Sequence, residues 1–133
     1  MREIKFRGKR ISNDAWVYGG IYNTYHPNYD SDCYAICADG KDYFVEQSTI
    51  GQFTGLHDNN GKEIYEGDVV KVFCDCGGYF TDNKEILGVI QWNDIFACWS
   101  ISYEHIRSGQ DESLCNQIEN IEVIGNIYDN PNL

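Results

Sequence analysis

The stretch GLHDNNGKEIYEGD, residues 55–68, carries three glycines, two asparagines, one lysine and four carboxylates. That composition serves a phosphate loop, a calcium loop or a pair of tight turns. A Walker loop leaves four residues between its first glycine and Gly-Lys-Ser/Thr, whereas Gly55 and Gly61 enclose five, and Glu63 stands where the magnesium-binding hydroxyl belongs. A calcium loop begun at Asp58 requires glycine at its sixth position and a bidentate glutamate at its twelfth, and these positions hold Glu63 and Val69. A hairpin turn fits. Asn60-Gly61 tolerates the positive φ of a type I′ turn, Lys62–Tyr65 begins the returning strand, and Glu66-Gly67-Asp68 turns into the next strand.

Thiols and imidazoles are the other groups able to do chemistry. Cys33 and Cys37, on one strand, would lie four residues apart at about 3.3 Å each, beyond the roughly 7 Å limit for a disulfide unless a turn intervenes. Cys74 and Cys76 form a C-x-C pair that would hold zinc only if Cys98, Cys115, His26, His57 or His105 converged on it, and the usual second C-x-x-C or H-x-x-x-H half is missing. These thiols are expected to act as small buried apolar groups, with zinc at Cys74 and Cys76 the weaker alternative and no cofactor called for. There is no G-x-S-x-G elbow, no zinc-binding histidine spacing and no deaminase signature, so the expectation is a protein without catalytic residues.

The charge of −11 is unevenly spread. The first ten residues hold five cations (Arg2, Lys5, Arg7, Lys9, Arg10) against Glu3, a balance of +4, which leaves −15 on the other 123. An acidic body opposes a phosphate backbone, so direct nucleic-acid binding is not expected, although Arg7, Lys9 and Arg10 could touch a phosphate or an acidic neighbouring chain. An acidic decoy that occupies a DNA-binding protein is the alternative this charge allows. No apolar run has the length of a signal peptide or a membrane span, and the expected location is the cytoplasm.

The elements that must position these residues follow a period of two. In IKFRGKR, Ile4 and Phe6 face one way and Lys5, Arg7 and Lys9 the other, and ISND turns into AWVYGGIY, an opening hairpin. Residues 23–42 read as a loop, the short strand CYAICA and an Asp39-Gly40 turn. DYFVEQSTIGQFTG reads as extended, with an irregular turn near Glu46 to Ser48. VVKVFCDC puts Val70, Val72, Cys74 and Cys76 on one face, EILGVIQW aligns Ile86, Ile90 and Trp92, and the pair Asn93-Asp94 turns into IFACWSISY. Ser113 or Asp111 could cap a brief helical turn through Leu114, Cys115 and Ile118. The fold expected is mainly β: an antiparallel N-terminal hairpin and loop-rich region over 1–54, then a small open SH3-like barrel over 55–133 with NIEVIGNIY as closing strand, the two making one compact unit. Tyr25, Tyr29 and Tyr34 in NTYHPNYDSDCY either form a contact surface or pack over the sheet.

EIKFRGKR, WVYG, TIGQFTGLHDNNGKEIYEGDVVKV, GVIQW and EVIGNIYDNP, in that order, resemble the YopX family of phage and prophage proteins over essentially the whole chain. The resemblance implies a small β-rich protein with no established activity. It marks Gln52, Gly55, Gly61, Tyr65, Gly67 and Asp68 as framework positions and is in keeping with a homo-oligomer, while Tyr25, Tyr29 and Tyr34 motivate an interaction module that binds a host or phage protein.

Overall fold

The structure is a computed structural model and describes residues 3–28, 33–73, 86–103 and 112–131. The chain divides into two compact units, residues 1–55 and 56–133.

In the first unit, β1 (Phe6–Lys9) and β2 (Trp16–Thr24) form the opening hairpin, followed by β3 (Cys33–Ala38) and β4 (Lys41–Val45). All neighbours are antiparallel, with Lys9 opposite Trp16, Ile21 opposite Ile36 and Ala38 opposite Lys41. Asp39 (φ 52°) and Gly40 (φ 75°) form the two-residue loop between β3 and β4, the type I′ geometry that Asp-Gly favours. The meander curls until the end of β4 meets the end of β1. Arg10 bridges Val45, Glu46 N–H donates to the Lys9 carbonyl at 2.8 Å, and Ile11 N–H donates to that of Phe44 at 3.0 Å. Gly8 lies under this closure, where a Cβ would come within 3.0 Å of that of Val45. A 3-10 turn (Gln47–Thr49) then leads into β5 (Gly51–His57), whose first residues pair with β1. Cys33, Ala35, Ile36, Val45 and Phe53 are the buried apolar residues described in this unit.

One face of β1 inverts the expected pattern. Ile4 is exposed and Phe6 half-buried, whereas Arg7 is only 5% exposed. Burial does not alternate along β1: Arg7 on the cationic face and Gly8 on the other are both buried, and Phe6 and Lys9 are both half-buried. Long basic side chains can lay their stems and charged heads on aromatic rings, and the rings here are supplied by β2, β4 and β5.

In the second unit, β6 (Glu63–Tyr65) returns after the turn at Asp58, and a five-stranded antiparallel sheet follows. It comprises β7 (Asp68–Val72), β8 (Ile86–Asn93), β9 (Cys98–Ser102), β10 (Glu112–Ser113) and β11 (Ile121–Asn126), in the order β10-β9-β8-β7-β11. Its core is Ile64, Val70, Val72, Ile90, Ile101, Leu114, Ile121 and Val123. Gly88 is required by close packing, since a Cβ there would run into Ile101 and lie 3.2 Å from Tyr103. The expected helical turn is reduced to two 3-10 turns, Leu114–Asn116 and Ile118–Asn120. Ser113 occupies the position before the first without capping it, its hydroxyl lying 3.0 Å from the Cys115 sulfur instead.

The sheet remains open, with β11 lying beside β7 and β10 at the opposite edge. The reason is at the outer edge of β11. Asn59 N–H donates to the Ile121 carbonyl at 3.1 Å, and Val123 N–H donates to Asp58 at 2.9 Å, so the Asp58 turn occupies the groups that a closing strand would need.

Candidate interaction surface

The acidic and glycine-rich stretch is framework. Asp58 is buried, and its Oδ1 accepts the backbone N–H groups of Asn60 (2.9 Å) and Lys62 (2.8 Å) while its Oδ2 accepts that of Val123. The turn is not the expected type I′. Gly61 has φ +81° but Asn60 does not adopt positive φ, and the bonds Gly61 N–H to Asp58 carbonyl (3.0 Å) and Asp58 N–H to Lys62 carbonyl (2.8 Å) make a three-residue loop with a G1 bulge. The Asp58 side chain decides this, because holding two amides of its own turn fixes Asn59 and Asn60 in right-handed geometry.

Asp68 is buried and accepts the Tyr65 N–H at 2.7 Å, closing the Glu66-Gly67 turn, where Gly67 sits at φ +89°. Gly67 donates to the Ile90 carbonyl at 2.8 Å, accepts from Ile127 N–H at 3.0 Å and lies beneath the Tyr128 ring. Tyr65 is buried, Gln52 pairs opposite Phe6, and Gly55 takes φ +85° within β5. Two of the carboxylates, Asp58 and Asp68, thus serve the backbone.

The basic strand is engaged internally. The Arg7 guanidinium lies 4.8 Å from the Trp16 ring centroid and the Lys9 ammonium 5.5 Å from it. Arg10 stacks at 4.6 Å over Tyr43, and Lys5 at 5.1 Å over Phe53. Among the proposed contact tyrosines, Tyr25 is 73% exposed, Tyr34 is half-buried in β3 and Tyr29 lies outside the described residues. Tyr18 and Tyr22 on β2, not singled out from sequence, are also exposed. Desolvation, then the hydrogen bond and negative charge of Asp42 and the neighbouring Cys37, raise the Tyr22 phenol above its ordinary value.

Cys74, Cys76 and His105 lie outside the described residues. Cys33, Cys37, Cys98 and Cys115 are free thiols, Cys33 buried and Cys37 exposed on the same strand. Among the described residues no three His, Cys, Asp or Glu side chains are grouped to hold a metal ion. His26 packs edge-on against Phe44 at 4.4 Å, and its Nδ1 accepts the Asn28 N–H at 3.0 Å. Nor is any helix among the described residues long and apolar enough to cross a membrane.

The largest departure from the sequence reading is at the β8–β9 connection. It spans more than Asn93-Asp94, and Ile95 and Phe96, read as the start of a strand, sit in the turn at 86% and 75% exposure. Asn93 orders it, its side-chain oxygen accepting the N–H groups of both Ile95 and Phe96 at 3.0 Å. Ala97 adopts φ 49°, a left-handed conformation unfavourable for a residue with a Cβ. Behind the tip, Trp92 is exposed and meets Trp99 edge-to-face at 5.1 Å. The apolar character of Ile95 and Phe96 hid the turn from a reading by periodicity. The Asn93 side-chain cap was the available signal.

The family model described as YopX protein matches residues 5–133. Among solved structures, the crystal structure of protein EF1440 from Enterococcus faecalis is similar, with a TM-score of 0.56 and 19% identity over 99% of this chain and 98% of that one. At that identity the likeness is one of fold. No curated protein matches the chain.

Proposed function

The chain belongs to the YopX family of phage and prophage proteins, a family of unknown biochemical activity, and from that premise we propose that it is a non-enzymatic protein-interaction module working as a homo-oligomer in the cytoplasm of its bacterial host. The observation that carries this reading is the β8–β9 tip. Two large apolar side chains project into solvent from a turn already ordered by Asn93, so burying them against a partner requires little further ordering.

Charge favours a second copy as the occupant. Residues 1–55 carry six cations and seven carboxylates, residues 56–133 four cations and fourteen carboxylates. Two tips meeting would juxtapose two strongly acidic units. Contact between a tip and the nearly neutral first unit of another copy avoids that repulsion and generates a ring or a filament. Light scattering after size-exclusion chromatography, over a concentration series, tests the reading. The wild type is expected at a multiple of the chain mass, and the Ile95→Ser, Phe96→Ser double variant as a folded monomer. A wild type that is monomeric at every concentration overturns self-association.

The fourteen carboxylates of the second unit favour a second reading, an acidic decoy that occupies a basic DNA-binding protein. Its signature is a captured DNA-binding protein that DNA displaces and salt releases.

A further inference from the structure

Gly19 and Gly20 stand side by side in β2 for different reasons. Gly19 is needed internally, because a Cβ there would strike the Cys37 carbonyl. Gly20 has no such reason. A Cβ built on it meets nothing within 4 Å, its φ is outside the positive range that excludes other residues, and it lies on the exposed face of the strand. A glycine inside a strand weakens it, and one with no internal cause often marks the approach of another molecule.

The surroundings of that gap have a definite chemistry. Tyr18 and Tyr22 are exposed on the same face as Gly20, two residues to either side and about 13 Å apart along the strand. Cys37, opposite Gly20, is exposed, and its own partner across the next pair is Asp42, an exposed carboxylate. Asp42 stands near enough to the Tyr22 phenol to raise its pKa, and a carboxylate has lone pairs for a further donor. Arg7, opposite Tyr18, has its guanidinium over the Trp16 ring. The gap is therefore flanked by two aromatic rings, floored by backbone and ended by one carboxylate.

We propose that the gap at Gly20, between Tyr18 and Tyr22 and beside Asp42, is a slot for an arginine side chain of a partner protein. A guanidinium is planar, stacks on a tyrosine face and offers paired N–H groups to a carboxylate, so its stem fits over Gly20 while its head takes one of the two rings and Asp42. The protein makes the same contact internally, with Arg7 over Trp16 and Arg10 over Tyr43. The first unit is nearly neutral, so Asp42 supplies the local charge that holds the guanidinium, while the carboxylates of the second unit raise the local concentration of a basic segment. The inference does not depend on the β8–β9 tip.

The test titrates the full chain, labelled with nitrogen-15, with a peptide of alternating arginine and glycine, its lysine analogue and its citrulline analogue, the last keeping the shape without the charge. The arginine peptide is expected to shift the amide signals of residues 18–22, 37 and 42 first. The lysine peptide should bind at least fivefold more weakly and the citrulline peptide at least tenfold. Gly20→Leu, which has room to fold, and Asp42→Asn should each weaken the arginine peptide at least tenfold. Equal binding of arginine and citrulline peptides would overturn the slot, as would Gly20→Leu and Asp42→Asn binding like the wild type. Shifts spread over residues 56–133 without those of β2 would show only the general attraction of an acidic surface, and would also overturn it.

Discussion

Asp58 and Val123 are joined across the second unit by one hydrogen bond, the Val123 N–H donating to a buried Asp58 oxygen at 2.9 Å. The other oxygen of the same carboxylate orders the turn in which Asp58 sits. One side chain therefore shapes a local hairpin and covers the outer edge of β11. Asp58→Ala leaves three backbone donors without this acceptor and is expected to cost about 3 kcal/mol. Asp58→Asn should cost less, since the amide oxygen can keep the turn but its NH2 faces the Val123 N–H. Urea unfolding of both variants measures the order, and an Asp58→Ala protein as stable as wild type would refute the assignment.

Gly67 combines a positive φ with a ring overhead, a Cβ at that position lying 3.1 Å from Tyr128 Cε2. Gly67→Ala is expected to lose about 2 kcal/mol, part from the backbone and part from the ring. In a double-mutant cycle Tyr128→Ala should recover the ring's part alone. Full recovery would mean that the backbone conformation carries no penalty.

Much of this framework was open to reading from the residues. Asp39-Gly40 lies between two alternating runs and forms the turn its residues favour, and Gly88 leaves the gap that Ile101 fills. In the central block the spacing matches neither a phosphate nor a calcium loop, and Asp58 and Asp68 accept backbone N–H groups. The rest depended on distant partners. Nothing local shows that Asp58 reaches Val123, and that reach sets the type of its turn. The burial of Arg7 needed the Trp16 ring from the neighbouring strand. Ile95 and Phe96 continue an apolar run, so periodicity assigns them to a strand, while the Asn93 side chain places them in a turn.

Tyr103 donates its phenol to Glu112 at 3.0 Å, and Glu112 also accepts from Gln117 at 2.8 Å. Burial first, and then the Glu112 carboxylate, raise the Tyr103 phenol above its ordinary value. The unfolded chain ionises this tyrosine near pH 10 and the folded chain only at higher pH, so stability present below about pH 10 falls as pH rises further. Subtracting the pH profile of Tyr103→Phe isolates the effect, because the other alkaline groups titrate in both proteins. Parallel profiles would show that the phenol is not held.

The cations of β1 serve stability in their stacked positions. Arg7→Ala, which uncovers the Trp16 ring, should cost about 2 kcal/mol, and Arg10→Ala, half-buried over Tyr43, about 0.5–1 kcal/mol. Neither should alter migration in a low-salt gel shift with duplex DNA, because the wild type is expected not to bind it. A wild-type shift abolished by the two substitutions would return these residues to nucleic-acid recognition.

Ala97 offers the opposite kind of variant. Replacing it with glycine relieves a left-handed conformation and should leave stability unchanged or raise it by up to about 1 kcal/mol, whereas Ala97→Val should lower it by about 1–2 kcal/mol. Thermal unfolding distinguishes them, and a glycine variant less stable than the valine one would contradict the turn geometry.

The edge-to-face contact of Trp92 and Trp99 has an optical consequence. Two indoles 5.1 Å apart and inclined by 75° have strongly coupled, non-parallel transition dipoles, so they absorb as a pair and give a split band of opposite signs in circular dichroism. Trp16 lies in the other unit, with the Arg7 and Lys9 cations over its ring. The hairpin that displays Ile95 and Phe96 thus carries its own chromophore, which would register a partner settling on the tip without any label.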